Sequence, residues 1–376
     1  MTGTSLATTV RWAEIDVAAL ATNAEVLSTL VRPAQVMAMV KSNGYGHGIA
    51  IAASAALDGG ASWLGVYTPE EALGLRAAGF DTRMLVVGWS PPSTLKALIA
   101  AGVDVSVLDA DGIRAVAAAA GGRTARIHLK IDTGLHRLGA LPEILDTLVL
   151  ALRDAGARIE VVGIFTHFAS PADDPAFTIT QHTRFLEAVD VLRPVAPEAL
   201  LHTSGSAAIL AHPAMHHDLV RAGIALYGYP PVPGPGALRL AMHVFCRVAK
   251  VRTVAQGESV GYGRTWRAPE ARRIATATLG YGQGLPRALS NCGHLGIRGH
   301  RCPIVGRVSM DQVGVDVSDV DGVAAGDVAM FFGESAGIRI GADEVGALCG
   351  RLPHEILCGI AEGIPRHPGV TPAALP

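Results

Sequence analysis

The chain is short of cysteine, of net charge and of long apolar runs, and each shortage removes a class of protein. Its 376 residues hold five cysteines (Cys246, Cys292, Cys302, Cys349, Cys358), an odd number without C-x-x-C spacing. That argues against a disulfide framework and a cysteine-based zinc site, so the thiols read as reduced and mostly structural. Lys and Arg number 31 against 33 Asp and Glu, a net charge of −2 with no basic block. Nucleic-acid binding through phosphate neutralisation is therefore not expected. Mean hydropathy is +0.34, yet every apolar stretch meets Asp, Arg, Gly or Pro well before the ~18 residues of a membrane span. No membrane helix is expected. Met1–Val10 has neither a basic start nor an apolar core, so no signal peptide is read and the cytoplasm is the expected location. His212, His216 and His217 cluster, but Pro213 lies between them and no helix-borne H-E-x-x-H exists. No metal site is expected.

What is present is a folded, turn-rich chain. Hydrophobic residues make up 49%, ample apolar surface for a core, which excludes disorder. The 44 glycines and 22 prolines exceed the roughly 12% of an average chain and stand singly between apolar runs. At ~100–200 residues per domain the length suggests two domains, although one α/β barrel can reach about 250. Apolar runs fall near Val36–Val40, Leu64–Tyr67, Met84–Gly88, Asp104–Leu108, Arg126–Ile131, Glu160–Thr166, Ala199–Thr203 and Leu219–Tyr227. Between most of them lie helical stretches such as "EEALGLRAAGF", "STLKALIAAG" and "EILDTLVLALRDAG", with apolar spacings of three and four and a Gly stop. Eight such units predict an α/β fold, a (β/α)8 TIM barrel, over 12–241. From "MHVFCRVAKVRTV" onward the pattern is strand-like, and only "GADEVGALCGRL" reads as a helix. A mainly β C-terminal domain is expected over 242–376, joined by a strand from 1–11, with a frayed tail at 371–376.

Active sites of such barrels gather at the C-terminal ends of the strands. The polar residues there are Lys41, Lys130, Arg137, His167, Ser204, Ser206 and Arg221. Cationic groups and hydroxyls at one mouth suit an anionic, phosphorylated ligand, although solvated βα loops are polar in any protein. In "VMAMVKSNGYGHG" an apolar strand runs directly into Lys41. A desolvated lysine has a depressed pKa and becomes a nucleophile fit for Schiff-base chemistry with an aldehyde cofactor. The alternative is a surface lysine that snorkels.

That lysine segment resembles the signature of the fold-type III, pyridoxal-phosphate-dependent alanine racemases. The resemblance recurs in order along nearly the whole chain, in "LKIDTGLHRLG", "GIFTHFA", "VRAGIALYG", "VGYGRTW" and "PIVGRVSMDQVGVDV". It implies that Lys41 holds pyridoxal 5'-phosphate and then acts as base on one face of the substrate carbon. Tyr262 would be the base on the other face, reaching the site from the partner subunit of a head-to-tail homodimer. Arg221 would meet the pyridine nitrogen and His167 would stand beside it, the pair helping a phenol of pKa ~10 to accept a proton. Tyr45, Ser206 and the Gly223 and Ile224 N–H groups would bind phosphate. Arg137 would contact the cofactor's phenolic oxygen and the substrate carboxylate, oriented by a carbamylated Lys130, and Met310 would donate its N–H to that carboxylate. The implied substrate is a small amino acid, alanine, and the implied role is supply of D-alanine for the bacterial cell wall.

Departures from the family pattern bear on that substrate. Gly205 replaces asparagine, Gln283 replaces aspartate, His354 stands where a tyrosine opens "YEILC", and Trp89 replaces a smaller aliphatic residue. Trp89, Tyr281, Asp311 and His354 are the expected specificity and entrance positions. Drift within an alanine racemase is one reading. A wider range that includes serine is the other, since one methylene is worth only ~1–3 kcal/mol to a pocket. Two rivals stand further off. "GESAG" (Gly333–Gly337) matches the G-x-S-x-G of serine hydrolases, but its flanks read as a hairpin rather than a nucleophile elbow. A non-catalytic pyridoxal-phosphate-binding barrel would lack the β domain and Tyr262.

Overall fold

Short β-branched and Leu-rich runs separated by Ala-rich segments resolve into alternating strands and helices. The computed structural model describes residues 8–236 and 238–369. The chain divides into two units, one built from residues 20–44 and 49–239, the other from the N-terminal residues up to 19, from 45–48 and from 240 onward. Strand β1 (Arg11–Asp16) belongs to the second unit. The eight strands that follow form the parallel sheet of the first: β2 (Gln35–Met39), β3 (Trp63–Val66), β4 (Arg83–Val86), β5 (Asp104–Val107), β6 (Ala125–Lys130), β7 (Ile159–Phe165), β8 (Leu200–His202) and β9 (Leu219–Ala222). Their order is β8-β7-β6-β5-β4-β3-β2-β9. Asp218 N–H donates to Leu201 O at 3.1 Å and Arg221 N–H to Ser204 O at 2.9 Å. These bonds join β8 to β9 and close the barrel.

The expected helices form at Pro69–Ala77, Pro92–Ala100 and Leu145–Ala155. Pro69–Ala77 begins at a capping box of Thr68 and Glu71, which satisfies backbone donors left open at a helix start. One strand is shorter than its apolar run suggests. The run Leu219–Tyr227 stops pairing at Ala222, and Ile224–Tyr227 is a 3-10 turn. Gly223, at φ −105° and ψ −111°, breaks the strand.

A long strand, β10 (Met242–Val254), organises the second unit. It pairs antiparallel with β1, with Arg272–Ala277 and with Val328–Ser335. Strand β1 also pairs parallel with Arg366–Gly369. The barrel start expected at residue 12 thus falls inside a strand of the β-rich unit, and the N-terminal strand expected from 1–11 begins only at Arg11. Residues 1–7 and the tail at 371–376 lie outside the described residues. A second C-terminal helix, Pro353–Cys358, was not expected. Its signals were local: Pro353 opens the first turn and Glu355 Oε1 accepts the Leu352 N–H at 3.1 Å. The "GESAG" segment is a hairpin, with Ser335 paired to Ile338 and with Ala336 and Gly337 at φ 49° and 81°. Two consecutive positive φ values make the tight turn that antiparallel strands favour, so no strand-to-helix elbow presents Ser335. Among the described residues the five cysteines are free thiols, and no helix is long and apolar enough to cross a membrane.

The barrel interior is not uniformly apolar. His128 on β6 pairs across from Gly163 on β7 and is fully buried. A Cβ on Gly163 would stand 2.3 Å from His128 Nδ1, so the glycine makes the room in which the imidazole sits. Gly163→Ala should therefore lower stability by roughly 1–3 kcal/mol through overpacking. Thermal unfolding would show it, and an unchanged midpoint would contradict this account of the glycine.

Candidate active site

Lys41 follows β2 after one residue, Val40, and is half-buried. The backbone beyond it is unusual: Ser42, Asn43, Gly44 and Tyr45 have φ of 54°, 54°, 62° and 51°. Left-handed conformation costs roughly 1–2 kcal/mol per ordinary residue, so a run of it needs outside support. Glu71 Oε1 accepts the Ser42 N–H at 2.6 Å, Asn43 Oδ1 accepts the Ile49 N–H at 2.9 Å, and the Gly44 N–H returns to Val40 O at 2.8 Å. A Cβ on Gly44 would lie 2.9 Å from Ala52 Cβ. The Lys41 ammonium lies 5.8 Å from the centre of the Tyr67 ring.

Arg221 projects from β9 and is buried. Its Nη1 donates to His202 O (2.7 Å) and His202 Nδ1 (3.0 Å). Its Nη2 donates to Thr166 O (2.6 Å), Thr203 O (2.9 Å) and His167 Nδ1 (3.2 Å). Burial works against the guanidinium charge, but this ring of acceptors holds its protons, and arginine stays charged near neutrality. The terminal N–H groups are all engaged. Among the described residues nothing accepts from Nε–H, which leaves one donor over.

The neighbouring groups respond to that charge. Burial, then Arg221, Arg137, Lys130 and Lys41, lower His167 to about 3. The ring is neutral, and because its Nδ1 faces a donor, its proton sits on Nε2. Lys130 ends β6 and is buried; burial, Arg221 and Arg137 lower it to about 8. Phe165 supports the group from below, its ring 5.5 Å from Lys130 Nζ and 5.3 Å from Arg221 Cζ, with His202 stacked on it at 4.7 Å. Arg137 is exposed on the loop after β6. Asp132 folds that loop, its Oδ1 accepting the Gly134 and His136 N–H groups at 2.9 and 3.0 Å.

Ser206, Gly223 and Ile224 also lie in this unit. Ser206 Oγ accepts from the Gly223 N–H (2.9 Å) and the Ala225 N–H (3.2 Å). Gly223 therefore has an acceptor within the protein, and the Ser206 hydroxyl keeps its own proton to donate. A Cβ on Gly205 would come within 3.2 Å of His167 Cε1, so the glycine that replaces asparagine leaves space beside that ring. Trp89 is exposed at the end of the segment following β4.

The remaining expected residues belong to the second unit. Tyr45 packs against His354 with ring centroids 6.0 Å apart, and its hydroxyl is raised by burial and by Cys358. Tyr262 sits on a 3-10 turn between Gly261 and Gly263, both of positive φ, and is 73% exposed. Tyr281 and Met310 are exposed as well. They are tied by backbone bonds, Tyr281 N–H to Ser309 O at 3.0 Å and Gly282 N–H to Met310 O at 2.9 Å. Gln283 Nε2 donates to Asp311 Oδ1 at 2.8 Å, while its Oε1 accepts the Gly280 N–H at 3.0 Å.

Both units match known family models: "Alanine racemase, N-terminal domain" over residues 15–231 and "Alanine racemase, C-terminal domain" over residues 241–368. The chain belongs to the alanine racemase family. The alanine racemase of Symbiobacterium thermophilum is 39% identical over 366 residues, covering 95% of this chain and 97% of its own. The crystal structure of the Streptomyces lavendulae alanine racemase superposes with a TM-score of 0.90 at 36% identity, covering 95% of this chain and 96% of that one. That of the Bartonella henselae alanine racemase, which has covalently bound pyridoxal phosphate, gives 0.86 at 27%, covering 96% and 99%. Within this racemase chain, sequence reasoning passed over His202, His128, Phe165 and Glu71. The signal for the histidines was available: His128 lies between Ile127 and Leu129 and His202 follows Leu200 and Leu201, at positions where the barrel demands burial.

The low His167 value has a measurable sign. The folded state excludes a proton that the unfolded chain accepts below about pH 6.5. Stability is therefore full above that pH and declines as pH falls towards about 3, by less than ~1.4 kcal/mol per unit for this partly exposed ring. Urea unfolding at about pH 7 and about pH 5 should show the loss, and His167→Gln should make it shallower, with the buried His128 and His202 supplying what remains. Equal slopes in the two proteins would count against the assignment.

Proposed function

We propose that this chain is a pyridoxal-phosphate-dependent racemase that interconverts L- and D-alanine by two-base proton transfer. The observation that carries the reading is Arg221: a buried guanidinium with its terminal N–H groups spent on the barrel and Nε–H left over. A pyridine nitrogen is an acceptor that fits such a donor. Because arginine does not give up its proton, it would leave such a nitrogen unprotonated and less electron-withdrawing than a carboxylate partner would. That restraint suits a reaction in which one proton is moved and nothing else is broken.

The residues present fit the cofactor. Lys41 would hold it covalently, Arg221 would meet its ring nitrogen, and Ser206, Tyr45 and Ile224 would receive its phosphate, whereas the Gly223 N–H expected there is already given to Ser206 Oγ. Bound there, pyridoxal 5'-phosphate makes the substrate's Cα–H acidic. Once the substrate's amine has displaced it, Lys41 would take or return the proton on one face, and Tyr262 would do so on the other. The neutral His167 presents Nε2–H, a donor that would hold the oxygen of Tyr262 when it has given up its proton. Arg137 and the Met310 N–H would hold the substrate carboxylate. Lys130, with a large neutral fraction near pH 8, is a nucleophile for carbon dioxide, and its carbamate would fix Arg137 by charge.

Tyr262 and Met310 are exposed, in keeping with use by a second copy of the chain. We therefore propose a homodimer with shared sites, active in the cytoplasm. Lys41→Ala should abolish racemisation of L-alanine, and Tyr262→Phe should lower kcat by roughly a hundredfold or more. If the sites are shared, mixing the two inactive proteins under subunit exchange should restore activity, since one site of each mixed dimer is intact. Full activity in Tyr262→Phe, or no recovery on mixing, would overturn the second base or its origin. With 13C-bicarbonate, a carbamate carbon signal should appear in NMR and vanish in Lys130→Ala; its absence in the parent protein would remove the carbamate.

One observation favours a wider substrate range. His354, which replaces a tyrosine, packs beside Tyr45 and presents a smaller, more polar ring. Initial rates with L-serine and other polar amino acids near the alanine rate would establish that range, and rates far below it would exclude it.

A further inference from the structure

A line of buried polar side chains runs from Arg221 through the barrel interior, and the reaction as described does not use it. His202 Nδ1 meets Arg221 Nη1 at 3.0 Å, and His202 Nε2 meets His128 Nδ1 at 2.9 Å. His128 Nε2 faces Asp104 Oδ2 at 3.5 Å. Asp104 opens β5, so the line ends at the N-terminal end of that strand. There Asp104 Oδ1 accepts from Arg126 Nε at 2.6 Å, and Arg83 Nη2 stands 3.7 Å from Oδ2. The three members beyond Arg221 are fully buried. The surroundings are otherwise aromatic: Trp63 meets the His128 ring edge-on and Phe165 stacks on His202.

We propose that Asp104 is a positioning residue for the active site, which sets through His128 and His202 the single proton arrangement that lets Arg221 be held in place. Hydrogen-bond polarity dictates that arrangement. Arginine only donates, so His202 Nδ1 must carry a lone pair and the proton must sit on Nε2. That proton is given to His128 Nδ1, whose own proton must then be on Nε2. A carboxylate only accepts, and Asp104 waits at that end. A donor-only group at one terminus and an acceptor-only group at the other leave the two rings no second arrangement. At 3.5 Å the last contact is longer than a hydrogen bond. Neither His128 Nε2 nor Asp104 Oδ2 has another hydrogen bond, however, and a buried negative charge so close favours N–H over a lone pair facing it. The ionisation states agree. Burial pushes the Asp104 carboxyl up, but His128 and Arg126 pull it further down, so it is charged. Burial depresses both His128 and His202, so both rings are neutral.

Asp104→Asn inverts the line. With Oδ1 kept on Arg126, the new amide N–H groups face His128 Nε2, which must accept. The His128 proton moves to Nδ1, His202 Nε2 accepts it, and the His202 proton on Nδ1 then opposes Arg221 Nη1, donor against donor. Loss of the correct tautomer by an Asp→Asn change is a known way to disable a histidine that a carboxylate orients.

The test is a two-bond 1H–15N correlation spectrum of the purified full chain labelled at histidine, assigned with His128→Gln and His202→Gln. Both rings should show the Nε2–H tautomer in the parent protein and Nδ1–H in Asp104→Asn. The kcat for alanine should fall by roughly tenfold or more in that variant with KM little changed, because Arg221 does not touch the substrate carboxylate. An Nδ1–H tautomer at either ring of the parent protein overturns the proposal, and so does Asp104→Asn with unaltered kcat. If the variant does not fold, the parent spectrum alone decides. The kcat arm rests on the racemase reading but the spectrum does not. A protein with both Nε2–H rings and no racemase activity would sink the function and keep the relay, whereas an active racemase with an Nδ1–H ring would sink the relay alone.

Discussion

A guanidinium with its charge inside a closed barrel is the constraint on which the rest of this site depends. Taking a charge out of water is costly unless every polar contact is replaced. The barrel meets that demand for Arg221 with three carbonyl oxygens and two imidazole nitrogens. Meeting it fixes much else. Two histidines must be neutral and must present lone pairs at their Nδ1 atoms. An aromatic ring, Phe165, must lie beneath them. The strand ends must stop where their carbonyls can turn inward, at Thr166, His202 and Thr203. Even the low basicity of Lys130 follows from the same positive charge in the same dry space.

Against that background the strained turn at Lys41 and the free-standing Tyr262 solve different problems. The lysine must arrive at one atom with little freedom, and a run of left-handed residues anchored by Glu71 gives it a short, stiff base. The tyrosine must be offered outward, and two glycines with positive φ form a tight projecting turn that buries little of it. One is held by strain that the surroundings absorb; the other is presented by backbone freedom.

Much of this is legible in the sequence. Periodicity placed the barrel strands, because runs buried on both faces leave few polar residues inside them, and Gly stops marked the helix ends. The strand-end residues Lys41, Lys130, His167 and Arg221 stood out because chemistry collects at that end of a barrel. What stayed hidden was of two kinds. Gly223 cuts the Leu219–Tyr227 run by its backbone angles, which apolar content does not report. His128, His202 and Asp104 are meaningful only as a connected set, and their partners lie between 19 and 74 residues apart in sequence. Short motifs do not record such pairings; strand register does. The reverse error was open as well: "GESAG" spells a nucleophile motif, and two positive φ values make it a hairpin.

The left-handed turn after Lys41 bears on how such chains diverge. Positions 42 to 45 must all hold φ above +50°, a conformation that Asn and Gly tolerate and β-branched residues resist. Mutation there is filtered by geometry before any chemistry is tested. The stretch "KSNGYGHG" is therefore a fossil of shape as much as of catalysis, and it would keep its spelling in a descendant that had changed its substrate.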